Sequence, residues 1–493
     1  MCGIAGIVSR GGNNVIDDGI TILTAQNNRG EQGCGAAAYD GRIIRRHCGV
    51  GQVKEVFGDR DKKQWSKLVG SVVVMHALYS TIDPEKGKKN QPKAKHPMIG
   101  KFWGESFALV HNGNVIRLKK LRKQAAAAGY KFQSKTSDSE VFVAMLSTSS
   151  KKDFLEALIE VCQTLESHGS FSLVIMFAGK LYGVRCGIRP LCIGKKHGKN
   201  GDPNSYIFAS ESCVFATLDA TEMKRQVEHG ELVVLGADGI ENSVKWGTRP
   251  RPCLCSCCML YFMKPSSVFS GADISKTVTV SRFRFECGRM SALKHPVVTR
   301  QGRKKKTKPD GVVPVPDSGR RYADGFAAQS RSKTMDVLEK NHYDSKSRSY
   351  MEDRDVRSGD HAARQRRKLQ AIPGEMNGLV VCLTEDTLIR ASVSPPVVKM
   401  SREYGGAREV HLRICSPRVC RKCRLGNDIR KCGELPAARM TTQEINKRLV
   451  HADSLAFLTV PEFRRVFVKL GLDPDDFCMG CFTGKYPTSQ CDD

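Results

Sequence analysis

At 493 residues the chain exceeds what one hydrophobic core ordinarily organises, so two domains are expected, and its 40% hydrophobic content can furnish both cores. No run of about 18 apolar residues and no basic flank leading into an apolar stretch marks a membrane span or secretory signal, which points to a cytoplasmic protein without a membrane partner. The 20 cysteines are then expected to stay reduced as buried small residues or metal ligands, and the net charge of +28 suits phosphorylated substrates, nucleic acid or simply a basic solvated surface.

From Met1 to about residue 238, short β-like runs alternate with turns. Strands are predicted near 70–75, 106–111, 170–177, 180–184 and 231–235, and helices over 139–146, after a cap, and 154–165. This is an α+β domain, 1–238. The cluster Cys253-Leu254-Cys255-Ser256-Cys257-Cys258 and the apolar segment 259–263 mark a junction. A helix is expected near 280–293, and the basic run 300–308 reads as an exposed loop. In the second unit, 239–493, the apolar strands 311–316 and 379–383 deliver Asp317-Ser318-Gly319 and Thr384-Glu385-Asp386-Thr387 at their C-terminal ends. Ligand crevices of open α/β sheets lie there. The charged stretch 329–376 is expected to be a flexible flap.

Removal of Met1 would give Cys2 both a thiol and a free α-amine able to accept the thiol proton, a nucleophile and its base in one residue. The segments Cys2-Gly3-Ile4-Ala5-Gly6, Asn28-Arg29-Gly30, His111-Asn112-Gly113-Asn114, Ser137-Asp138-Ser139-Glu140, Gly187-Ile188-Arg189-Pro190 and Ala209-Ser210-Glu211-Ser212 follow in that order. Together they resemble the class II, N-terminal-nucleophile (Ntn) glutamine amidotransferases. The resemblance implies Cys2 as nucleophile, the Asn112 side chain and Gly113 N–H as oxyanion donors, and Arg29 and Asp138 as glutamine-binding residues. Taken alone, Asn112-Gly113 is a hairpin turn and Asp138 a helix N-cap. One position departs from the pattern: His76-Ala77-Leu78-Tyr79-Ser80-Thr81 carries Leu78 where the family has the arginine that clamps the glutamine carboxylate.

Residues 381–392 resemble a phosphoribosyl pyrophosphate (PRPP) loop, with Glu385 and Asp386 suited to ribose hydroxyls or Mg²⁺ and the following backbone to the phosphate. The resemblance implies Thr387, Arg390 and Ser392 as PRPP-binding and Ser318, Glu385 and Asp386 as the Mg²⁺ side. Ala391-Ser392 replaces the family's Gly-Thr, and Pro395-Pro396 removes two backbone donors.

The Cys-x-x-Cys of Phe477-Cys478-Met479-Gly480-Cys481-Phe482-Thr483-Gly484 lets two thiolates meet one centre. The segment resembles the C-terminus of amidophosphoribosyltransferases that carry a [4Fe–4S] cluster, which implies Cys255, Cys423, Cys478 and Cys481 as ligands. Cys253, Cys257, Cys258 and Cys420 are near enough to substitute, and Zn²⁺ is the competing occupant. The family resemblance implies an Ntn-hydrolase domain followed by an α/β phosphoribosyltransferase domain. The implied enzyme passes ammonia from glutamine to PRPP as a homo-oligomer, a tetramer, under nucleotide feedback. An ammonia-dependent or impaired paralogue and a nucleic-acid-binding protein are the alternatives.

Overall fold

A computed structural model describes residues 1–79, 96–198, 200–219, 221–247, 251–301, 304–306, 308–341, 367–429 and 431–488. The first domain is built on a seven-stranded and a six-stranded sheet. The seven-stranded sheet places Gly3–Ser9 between Pro203–Ala209 and Val72–Leu78, antiparallel to both. Period-two alternation then sorts its side chains: Ile4 and Val8 face the second sheet, whereas Ala5 and Ile7 face outward.

In the six-stranded sheet, Glu105–Val115 pairs with Gly169–Phe177. Ala108 and Val110 join the inter-sheet core, and Leu109 turns the other way. A helix covers each outer face. Ile16–Ala25 packs Ile22 and Leu23 onto the first sheet, and Ser139–Ser147 with Phe154–Glu166 pack Phe142, Leu158 and Val161 onto the second. The longest of the three starts where the Asp153 carboxylate accepts the Glu156 N–H at 2.9 Å. The result is an α–β–β–α sandwich with strand Gly3–Ser9 at its centre.

The domain boundary lies later than residue 238. Strand Gly239–Lys245 pairs antiparallel with Glu231–Gly236 across a two-residue turn, and Trp246 sits in the first domain's core. A cut at 238 would divide a hairpin.

The second domain carries a five-stranded parallel sheet. In spatial order it runs Lys333–Thr334, Gly311–Pro314, Val380–Glu385, Glu409–Ile414 and Ser454–Phe457. Chain order is therefore 2-1-3-4-5, with the switch point between Gly311–Pro314 and Val380–Glu385. Helices Val280–Lys294 and Arg320–Ser330 cover one face through Ala292, Ala323 and Phe326. Helix Ser394–Glu403 covers the other through Val397 and Val398.

Two loop expectations change. The basic run contains an antiparallel pair, Thr299–Gln301 with Lys304–Lys306, with Gly302, Arg303 and Thr307 outside the described residues. The charged stretch 329–376 is ordered at both ends, where Leu338–Lys340 pairs with Leu369–Ala371. Its middle, 342–366, lies outside the described residues. A third core joins the domains: Met1 and Ile188 pack with Leu254, Cys258, Phe262, Leu425 and Phe482.

Candidate active sites

Cys2 stands at the head of the central strand Gly3–Ser9. The Tyr79 N–H donates to its Sγ at 3.5 Å, and the thiol donates back to the Tyr79 carbonyl at 3.7 Å. Burial raises the thiol pKa, so a proton acceptor is needed to make thiolate. The Cys2 N–H donates to Asn112 Oδ1 at 3.2 Å. Asn112 Nδ2 is buried and has no partner among the described residues, which leaves a fixed donor beside the nucleophile. Gly113 admits no side chain, because a Cβ would lie 2.2 Å from the Ser170 carbonyl. Asp138 caps helix Ser139–Ser147 by accepting the Ser139 N–H at 2.8 Å and also accepts the Val115 N–H at 3.2 Å.

Arg29 is placed differently from expectation. Its guanidinium is wholly buried, ion-paired with Glu211, and its Nε donates to the Cys2 carbonyl at 3.2 Å. It supports the nucleophile's backbone from beneath instead of facing glutamine. Leu78 ends strand Val72–Leu78 and is half-buried, its carbonyl accepting the Gln32 N–H at 3.2 Å. Ser80 and Thr81 of the same segment lie outside the described residues.

Three buried histidines back this site. His76 stacks on His96 at 4.2 Å, and Ser139 Oγ lies 3.2 Å from His96 Nε2 and 2.8 Å from His111 Nδ1. Burial lowers His76 to about 3 and His111 to about 4, and lowers His96 well below its usual range. All three are neutral at pH 7. Sequence reading assigned them no role; His76 and His111 lie on apolar strands, and His96 just precedes strand Met98–Phe102.

At the switch point of the parallel sheet, Ser318 and Asp386 hydrogen-bond to each other from adjacent strand ends. Thr387 Oγ1 donates to Asp386 at 2.7 Å, and Ser394 Oγ donates to Glu385 at 2.6 Å. Burial, then the adjacent Asp386 charge, pushes Glu385 up to about 8; burial also raises Asp386. Two buried acids that resist ionisation side by side are a place where a cation or hydroxyl donors relieve strain in charge.

Arg390 donates to the Asp428 carbonyl at 2.8 Å and to Glu434 at 3.0 Å. Ser392 is partly exposed in the same turn, and Ala391 before it adopts φ +54°. Pro395 and Pro396 fall in the first turn of helix Ser394–Glu403, where prolines fit the helix but cannot donate to a phosphate.

The four expected cluster cysteines all lie in or against the core at the domain junction. Strand Leu254–Cys255 pairs in parallel with Phe477–Cys478, setting Cys255 opposite Cys478. Cys423 and Cys481 lie near each other, and the Cys481 thiol is within hydrogen-bonding reach of the Cys257 thiol. Burial pushes Cys478 up to about 12 and raises Cys255 and Cys423. All four are free thiols. Among the described residues, no three His, Cys, Asp or Glu side chains converge as ligands of a single metal ion. No described helix is long and apolar enough to cross a membrane.

The sandwich with a cysteine at the head of its central strand, followed by a 2-1-3-4-5 parallel sheet with acids at its switch point, defines a class: a glutamine amidotransferase domain joined to a phosphoribosyltransferase domain. A glutamine amidotransferase domain family matches residues 86–217. The amidophosphoribosyltransferase of Vigna aconitifolia, a chloroplastic protein, is 33% identical over 466 residues, 94% of this chain and 87% of that protein. That of Methanocaldococcus jannaschii is 31% identical over 507 residues, 99% of this chain and 98% of that protein. The Bacillus subtilis glutamine PRPP amidotransferase, solved with ADP and GMP, superposes with a TM-score of 0.81 at 29% identity, covering 99% of this chain and 98% of that one. The chain belongs to the amidophosphoribosyltransferase family.

Proposed function

We propose that the chain converts PRPP, glutamine and water into 5-phosphoribosylamine, glutamate and pyrophosphate, the first step of purine biosynthesis. With Met1 removed, the Cys2 amine takes the thiol proton as Sγ attacks the glutamine side-chain amide, and returns it to the departing ammonia. Asn112 Nδ2 and the Gly113 N–H stabilise the oxyanion. Water then releases glutamate from the thioester. Asp138 holds the substrate ammonium, and Arg29 fixes the Cys2 backbone.

Ammonia crosses the junction and displaces pyrophosphate from PRPP. Thr387, Ser392 and Arg390 lie along the phosphate side, and Glu385 and Asp386 receive the ribose hydroxyls or, with Ser318, would hold Mg²⁺. Such an ion would neutralise the leaving pyrophosphate. Cys255, Cys423, Cys478 and Cys481 would hold a [4Fe–4S] cluster as a structural cross-link; an all-thiol donor set suits it. Purine nucleotides as feedback ligands are supported by the ADP and GMP of the Bacillus subtilis structure; a homo-tetramer follows the family resemblance.

The carrying observation is Asn112, whose Oδ1 is engaged by the Cys2 N–H while Nδ2 stands unpartnered. Cys2→Ala should abolish glutamine-dependent formation of phosphoribosylamine and spare ammonia-dependent formation. Equal loss of both would contradict the two-site reading, and wild-type protein that uses only ammonia would be an ammonia-dependent transferase.

A further inference from the structure

Five consecutive residues of the second domain reach into both sites. Asn114, next to the oxyanion donors, gives its side-chain N–H to the Arg424 carbonyl. Arg189 Nη2 donates to the Leu425 carbonyl at 2.7 Å, and both its terminal nitrogens stand 3.4 Å from Asn427 Oδ1. Gly426 takes φ +98° against Gly113: a Cβ there would lie 3.2 Å from the Gly113 carbonyl and 2.8 Å from Arg189 Nη2. At the far end of the same loop, Arg390 of the PRPP turn donates to the Asp428 carbonyl at 2.8 Å.

We propose that the loop Arg424–Asp428 is a positioning element for the oxyanion hole, holding Gly113 and Asn114 in register with Cys2 and held in turn by Arg390. This rests on the reading of Cys2 and Asn112-Gly113 given above. The physical reason is packing. Strand Glu105–Val115 pairs with Gly169–Phe177 on one edge as far as Val115, but with Met98–Phe102 on the other only as far as Leu109. Residues 110–115 therefore have a strand neighbour on one edge only, and the loop 424–428 meets Gly113 and Asn114. Loop carbonyls at 424 and 425 anchor the two side chains that flank the site, and glycine at 426 permits the close approach that a side chain forbids. Oxyanion donors must keep their positions to a fraction of an ångström to be effective.

The test uses full-length protein and two variants. Gly426→Ala inserts a methyl group against Gly113 and Arg189, and Asn114→Ala removes one anchor without adding bulk. Each is measured for alkylation of Cys2 by a diazoketone analogue of glutamine, for glutamine kcat and KM, and for ammonia-dependent turnover. Both variants should lose roughly tenfold or more in Cys2 alkylation rate and glutamine kcat, with glutamine KM nearly unchanged and ammonia-dependent turnover intact. Parallel loss of both activities with a lowered melting temperature in both variants would overturn the proposal in favour of a merely structural contact, as would unchanged alkylation. Failure of wild-type Cys2 to alkylate at all would instead sink the nucleophile reading on which the proposal stands.

Discussion

Leu78 occupies the end of the strand whose next residue, Tyr79, grips the Cys2 thiol through its backbone. A guanidinium at 78 would enter the same edge of the pocket. Leu78→Arg should lower glutamine KM by roughly tenfold, if a charge-assisted pair of about 1.5–3 kcal/mol is regained. An unchanged KM would show that the carboxylate is bound elsewhere; Arg29, locked to Glu211, is not available for it.

Ala391 poses the same kind of problem in the second site. Its φ of +54° costs an L-residue about 1–2 kcal/mol, and its methyl group packs against the second domain's core. Ala391→Gly should lower PRPP KM several-fold, with little change in melting temperature because glycine also loosens the unfolded chain. A KM that stays put would mean the turn does not hold phosphate. Both substitutions were legible as breaks in a motif. Arg29 was not, because a motif records a residue but not its counter-ion, and Glu211 lies 182 positions away.

The histidine layer beneath the nucleophile makes a pH prediction. Folded His76, His96 and His111 have pKa values below the unfolded value near 6.5. The unfolded chain therefore binds more protons as pH falls through 6.5, and stability drops from there to about 4 for His111 and on to about 3 for His76. Each neutral histidine contributes up to about 1.4 kcal/mol per pH unit in that window. Asp138, 3.9 Å from His111, works against the effect without cancelling it. Urea unfolding at pH 7.5 and 5.5 should show a marked loss, reduced by about one proton's worth in His96→Gln. A flat profile would refute it.

Elements with a buried face were readable from sequence. Strand 170–177 and helix 154–165 appear as Gly169–Phe177 and Phe154–Glu166. Strand Gly239–Lys245 was missed because it is mostly exposed and carries no apolar alternation, and only the short turn before Gly239 hinted at it. The strand pair Thr299–Gln301 and Lys304–Lys306 was missed for a related reason: lysine-rich strands lack the pattern that sequence reading relies on.

The junction core shows why two sites on separate folds behave as one molecule. Ile188 and the 254–262 segment share a core with Phe477, Cys481 and Phe482, and Glu211 accepts from Lys264 N–H and Ser267 Oγ across the boundary. The meeting of the 253–258 segment with the C-terminal cysteines was anticipated through the family resemblance; the Glu211 contacts were not, since contacts between distant segments leave no periodicity. A cluster at this junction would close several long loops at once. Anaerobically purified protein should then be brown, carry about four irons per chain and lose thermal stability when the iron is stripped. One zinc and no iron would transfer the cysteines to a mononuclear site.

The most direct test of a two-site amidotransferase is to count products. Incubated with PRPP, Mg²⁺ and glutamine, the wild-type protein should release glutamate and pyrophosphate in equal amounts, with glutamate release falling away when PRPP is omitted. Pyrophosphate release without glutamate, or glutamate release indifferent to PRPP, would contradict the coupling on which the whole account depends.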